Sequence, residues 1–290
     1  MALDTFTTTA ASLTLTTGEM LELQPGTNQV LTSLEGWFSP AGTRREGTNR
    51  LWAHGTFSER GWRDQRVITL GGHIVTETRA DAANMTDTLS AALADGTAGK
   101  FIVNDADLGY REANVYITGT PTVNWNGGVD IFFMIDMVAP DPRKYGQPLT
   151  ATTLASAPGG GLGFDLFATD DAGVLDFGDA GEDGTVTLEN IGTADTAPIF
   201  TISGYAPGFT ITDVATGARL IYTETIQAGQ TLTINAADGS VLLDGYADRS
   251  AYLIRREWTR VPPRTRSTYL FESPDNIGAS MTLGVTPAWW

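Results

Sequence analysis

The sequence predicts a mainly β protein built as two domains, and three observations carry that prediction. The chain has 290 residues, more than one hydrophobic core comfortably holds, so two units of roughly 140 residues are expected. Gly 33 and Pro 13 punctuate it at short intervals, with threonine and valine frequent between them. Stretches that alternate or carry β-formers recur along the chain, whereas a single stretch has the helical period.

In the first half, residues 30–38 (VLTSLEGWF), 66–75 (RVITLGGHIV), 111–123 (REANVYITGTPTV) and 128–138 (GVDIFFMIDMV) read as strands. In the last, Val129, Ile131, Phe133, Ile135 and Met137 share one face, because successive side chains alternate. Residues 80–94 (ADAANMTDTLSAALA) space Ala82, Met85, Leu89, Ala92 and Leu93 by three and four, which predicts the one helix. Asp81 supplies an acid in its first turn and Gly96 a stop. Its alanine-rich face is shallow, so it should lie flat on a sheet. Residues 139–146 (APDPRKYG) end the half, since two prolines in three residues forbid a continued strand. A glycine-rich stretch, 158–165 (PGGGLGFD), comes next. The boundary is placed at 147, giving domains 1–147 and 148–290. In the second half, 185–190, 198–204, 209–214, 231–235 and 240–243 are short strands separated by turns such as AGQ at 228–230 and ADG at 237–239. Spacing of about ten residues argues for a sandwich.

Composition narrows the chemistry. Without cysteine there is no thiolate metal site, disulfide or thiol nucleophile. His54 and His73 are the only histidines, and both lie in strand-like contexts where packing or a backbone hydrogen bond is the plain expectation. No run of about 18 apolar residues occurs, so no membrane insertion is expected. The threonine-rich start lacks a basic region and does not read as a signal peptide. Net charge −16 disfavours binding to phosphates.

The candidate sites are few. Asp165, Asp170, Asp171, Asp176, Asp179 and Asp183 offer calcium-type oxygen ligands, and 160–167 fits one copy of a calcium nonapeptide whose β-helix needs tandem copies. A solvated acidic loop is the expectation, with no metal and no cofactor. Asp105/Asp107 and Asp170/Asp171 are close carboxylate pairs of the kind glycoside hydrolysis uses, but 34 acids make such pairs inevitable by chance. Most of the seven tryptophans are expected in the core; the terminal Trp289 and Trp290 either dock on another surface or pack on their own last strand. Arg44, Arg45, Arg50, Arg60, Arg63 and Arg66 cluster among Glu46, Glu59 and Asp64, and read equally as a subunit interface or as plain surface.

Several of these pieces, in order, resemble the distal tail (minor tail) proteins of long-tailed bacteriophages. The most specific are the APDPRKYG turn, and the loop 190–194 (NIGTA) followed by the strand IFTISG ending at Gly204. The connector GGLGFDLF (160–167), EWTRVPP (257–263) and MTLGVTPAWW (281–290) complete the series. Two departures occur: GLGFDLFATDD is acidic where that family has a prolyl strand, and Pro262-Pro263 precedes arginine where it has a Pro-Gly turn.

The resemblance implies a belt-type N-terminal β-domain with one helix and a galectin-like C-terminal β-sandwich. Their joint would be the proline turn, with Pro140, Asp141, Pro142, Tyr145 and Gly146. It implies a structural virion protein, not an enzyme, made in the host cytoplasm and located at the distal end of the tail. Six copies would form a ring joining the major tail tube protein to tail-tip proteins, with genomic DNA passing through unbound. A carbohydrate- or receptor-binding sandwich of the tail tip is the alternative.

Overall fold

The computed structural model describes residues 6–15, 18–58, 60–156, 163–164, 175–176, 183–274 and 278–290. They are mainly β, with one α-helix among them. The chain divides into two compact units, Met1–Gly146 with Trp290, and Gln147–Trp289.

The first unit holds strands β1 (Thr9–Thr14), β2 (Met20–Leu23), β3 (Gln29–Glu35), β4 (Thr43–Arg44), β5 (Gly47–Asn49), β6 (Thr56–Ser58), β7 (Trp62–Arg63) and β8 (Arg66–Val75). Helix α1 (Arg79–Ser90) comes next, then β9 (Gly99–Asp105), β10 (Gly109–Ile117), β11 (Thr122–Trp125), β12 (Asp130–Ala139) and β13 (Lys144–Tyr145). One antiparallel sheet runs β2-β1-β9-β10-β12-β8-β3, with β11 also on β12. β10 belongs to both halves of the sheet. Its residues 109–115 pair with β9, while Tyr116 and Ile117 pair with Val138 and Met137. Trp37, just beyond β3, meets Phe101 of β9 edge-on at 5.1 Å, so strands far apart in the sheet order face each other across the core.

β12 alternates as its pattern requires: Ile131, Phe133, Ile135 and Met137 are buried while Asp130, Phe132, Met134 and Asp136 are exposed. Val129 precedes the strand. The segment 111–123 is two strands, not one, because the chain turns between Ile117 and Thr122 through Gly119 at φ 70° and Pro121. The helix also ends earlier than its apolar spacing suggests. Thr78 caps it by accepting from the Asp81 amide at 3.2 Å. Thr86, Thr88 and Ser90 donate to carbonyls four residues back, a habit that weakens a helix interior. After Ser90 the chain turns, and Ala92 and Leu93 reach the core from outside the helix.

The second unit comprises β14 (Leu149–Leu154), β15 (Gly163–Phe164), β16 (Leu175–Asp176), β17 (Thr185–Asn190), β18 (Pro198–Ser203), β19 (Phe209–Asp213) and β20 (Arg219–Tyr222). It continues through β21 (Thr231–Asn235), β22 (Ser240–Leu243), β23 (Ala247–Asp248), β24 (Leu253–Arg256), β25 (Thr265–Glu272), β26 (Ser280–Val285) and β27 (Ala288–Trp289). Two antiparallel sheets form, β14-β26-β18-β21-β22-β23 and β17-β25-β19-β20-β24. Phe200 from the first lies edge-on to Tyr269 from the second at 5.0 Å, so the sheets pack face to face as a β-sandwich.

Candidate functional site: a cationic aromatic arm and its anchors

The region rich in arginine is a hairpin. β4 pairs with β7 and β5 with β6, and Arg50 N donates to the Gly55 carbonyl at 3.1 Å across the tip. The strand-like reading of His54 therefore gives way: LWAHGTF spans the tip and β6, and His54 is exposed in the turn. Trp52 is 97% and Leu51 89% exposed. Phe57 and Trp62 are exposed too, with the guanidiniums of Arg50 and Arg60 over their rings at 5.0 and 4.8 Å. Arg44 pairs across from Trp62, and Arg63 donates to the Ala41 carbonyl at 2.9 Å. Arg44, Arg45, Arg50, Arg60 and Arg63 are all exposed.

Arg66 differs from them. It is 1% exposed and anchors the arm's root. Its Nε donates to the Pro142 carbonyl at 3.0 Å, and its Nη1 lies 2.8, 3.3 and 2.6 Å from the carbonyls of Gly36, Trp37 and Ser39. A side chain so committed is part of the interior; the sequence cluster joined a structural arginine to five surface ones. Gly36 is required at this root: φ is 76°, and a Cβ there would sit 1.9 Å from the Val67 carbonyl oxygen.

The turn 140–146 supplies the second anchor. Lys144, also buried, donates to the Trp37 carbonyl at 3.1 Å. Burial, reinforced by Arg66 and Arg111, pushes its ammonium down to about 8. Asp141 ties the turn together, accepting from Arg143 Nε at 3.0 Å, Arg143 Nη2 at 2.9 Å and the Tyr145 hydroxyl at 2.6 Å. Burial pushes its carboxyl up, but those bonds outweigh burial and leave it below the usual range. Pro140 is exposed and Gly146 buried. The prolines end β12, and the turn beyond it is a knot of charge rather than a loose linker.

In the second unit the loop that carries the family resemblance is also a fastener. Asn190 is fully buried; its amide donates to the Ala194 carbonyl at 2.8 Å and the Val261 carbonyl at 3.2 Å, and its Oδ1 accepts from Gly192 N at 3.0 Å. A Cβ on Gly192 would lie 1.9 Å from the Ala288 carbonyl oxygen. Ala194 bridges Ala288 and Thr196 bridges Val261. The stretches NIGTA, RVPP and TPAWW thus meet at one place.

The remaining candidates divide. Of the seven tryptophans only Trp37 is core; Trp52, Trp62, Trp258 and Trp290 are exposed and Trp125 and Trp289 half-buried, a correction to the expected core placement. Hydrophobicity alone does not place an indole, because its large ring suits a projecting contact equally well. His73 stacks on Phe132 at 4.1 Å and reaches Asp130 at 3.1 Å, not a backbone group. Asp105 caps a turn, accepting from the amides of Asp107 and Leu108 and from Thr9. Asp183 accepts from Thr185 in the same manner. Asp165, Asp170, Asp171 and Asp179 lie outside the described residues, as does nearly all of the glycine connector. Among the described residues no group of three potential metal ligands occurs, and no helix is long and apolar enough to cross a membrane.

Residues 191–289 match the family model of the siphovirus-type tail component, C-terminal domain. A search of curated proteins finds no match. Among solved structures, the chain is similar to the SPP1 Dit (gp 19.1) protein, described as a paradigm of the hub adsorption apparatus in Gram-positive infecting phages. There the TM-score is 0.65 at 12% identity, covering 97% of this chain and 99% of that one. A chain of the phage P2 baseplate in its activated conformation with Ca gives a TM-score of 0.51 at 8% identity, over 96% and 97% of the two chains.

Proposed function

Starting from a second unit that carries a siphovirus-type tail component domain, we propose that this chain is a structural component of the distal phage tail. The observation that carries the reading is the family match at 191–289, joined to the likeness over nearly the whole chain to a protein described as a paradigm of the hub adsorption apparatus of phages. The first unit is the belt and the second a galectin-like sandwich, joined after the 140–146 knot. Six copies close into a ring by a head-to-tail contact, in which each copy uses two unlike surfaces. The ring joins the tail tube above to tail-tip proteins below. Its work is binding, with no catalytic cycle. Six chains carry −96 in all, which keeps passing DNA from adhering to the channel. The exposed arm, with Arg44, Arg45, Arg50, Arg60 and Arg63, serves the contact with neighbouring chains or the tube, and Trp289 and Trp290 mark a second candidate contact.

Native mass spectrometry and negative-stain microscopy of the purified full chain test this reading. A closed six-fold ring, and antibody label at the far end of the tail in particles, are the expected results. A chain that stays monomeric at high concentration, or label elsewhere on the particle, would overturn it.

A further inference from the structure

The first unit exposes two apolar surfaces of opposite charge. One is the arm: residues 43–63 hold five arginines and two glutamates, net +3 on a chain of net −16, around the bare Leu51 and Trp52. The other is the outward face of β12 and β8. There Phe132 and Met134 are each about half exposed, and Asp130 and Asp136 flank them on the same side of β12. In register, His73 lies opposite Phe132 and Thr69 opposite Asp136, with Asp136 accepting from Thr69 at 2.6 Å. The helix adds nothing to cover this side, because its buried Ala82 and Leu89 belong to the core on the opposite face.

We infer that the arm tip of one copy docks on the outward β8–β12 face of the next copy, so that the ring closes arm-to-face. This rests on the ring proposed for the chain and specifies its contact. A ring demands two unlike and complementary patches on one chain, and a basic apolar projection and an acidic apolar face meet that demand. Two large side chains left almost wholly bare by their own chain are the kind of anchor that fills a partner's pocket. The tip covers roughly 400 Å² a side, about half of a standard interface per partner. A single contact is therefore weak, and closure of the ring supplies the rest.

Three experiments on full-length chains test it. Leu51→Ser with Trp52→Ser removes the tip, Phe132→Thr with Met134→Thr removes the face, and both leave the core untouched. Each should weaken assembly at least about thirtyfold, the loss typical of one interface anchor. The absence of cysteine permits the third. Chains bearing Ala53→Cys are mixed with chains bearing Met134→Cys and treated with a short bis-maleimide. The mixture should give cross-linked heterodimers, and the Met134→Cys chain alone none. Circular dichroism confirms folding of every variant. A wild-type ring that persists in either serine/threonine variant, or a mixture without heterodimers, overturns the arm-to-face contact and leaves the ring standing. A wild-type chain that forms no ring overturns the ring itself.

Discussion

Replacing Arg66 by methionine should destabilise the first unit by about 3 kcal/mol and leave the second untouched. Three short bonds are lost, to Pro142, Gly36 and Ser39. Hydrogen bonds to a charged group contribute about 1.5–3 kcal/mol each, so the gross loss is on the order of 5–9 kcal/mol. Against that, methionine fills much of the same volume and no buried guanidinium need be stripped of water, an offset of several kcal/mol. What remains is the cost of carbonyls left without donors. In a unit of this size about 3 kcal/mol lowers the melting midpoint by roughly 6–12 °C. Urea unfolding of the full chain, followed by hydrogen exchange in peptides from 66–75 and from 198–203, separates the two units. The first set should lose protection and the second keep it, with Arg66→Lys in between because an ammonium cannot span carbonyls from two chain segments as a fork does. A loss below about 1 kcal/mol, or equal loss in both peptide sets, would refute the anchoring role.

Lys144 makes stability depend on alkaline pH. Its folded value of about 8 lies below the ordinary 10.5, so between them the unfolded chain holds a proton that the folded chain has released. Stability should therefore rise from pH 8 to 10, by at most ~1.4 kcal/mol per pH unit, relative to Lys144→Met; parallel profiles for the two proteins would contradict this. Asn190→Ala strips donors from the Ala194 and Val261 carbonyls and should cost about 2–4 kcal/mol in denaturant unfolding of the second unit; a change under about 0.5 kcal/mol would mean the loop holds itself. Phe200→Ala opens the gap between the two sheets beside Tyr269 and should cost about 3–5 kcal/mol by the same measurement, unlike Phe57→Ala on the arm, which should cost almost nothing.

What the sequence revealed was what periodicity can reveal. The alternation of β12 and the limits of β8, β17, β21 and β22 were legible because one face of each strand is apolar and the turn residues bracket it. The arm was not, since the described residues of β4 to β7 are exposed and so leave no alternation to read. Arg66 sits among five surface arginines in sequence, and only the fold shows the carbonyls that gather around it. Asn190 was visible as part of a motif, but its function as a donor to two distant stretches depends on residues about 70 positions away. The helix was found and its end was not, because Ala92 and Leu93 keep the helical spacing while leaving the helix.

The arm's root governs how such a chain can change. Of the residues that set the hairpin's direction, Trp37, Arg66 and Lys144 are sealed inside the first unit and Gly36 is half-buried beside them, while the arm's tip from Thr48 to Phe57 is exposed. Mutation can therefore rewrite the tip, even lengthen it, at no cost to the fold, and the new tip will still point the same way. The arm behaves as an exchangeable cartridge on a fixed socket, so that lineages meeting different neighbours can refit one end of the molecule without rebuilding the rest.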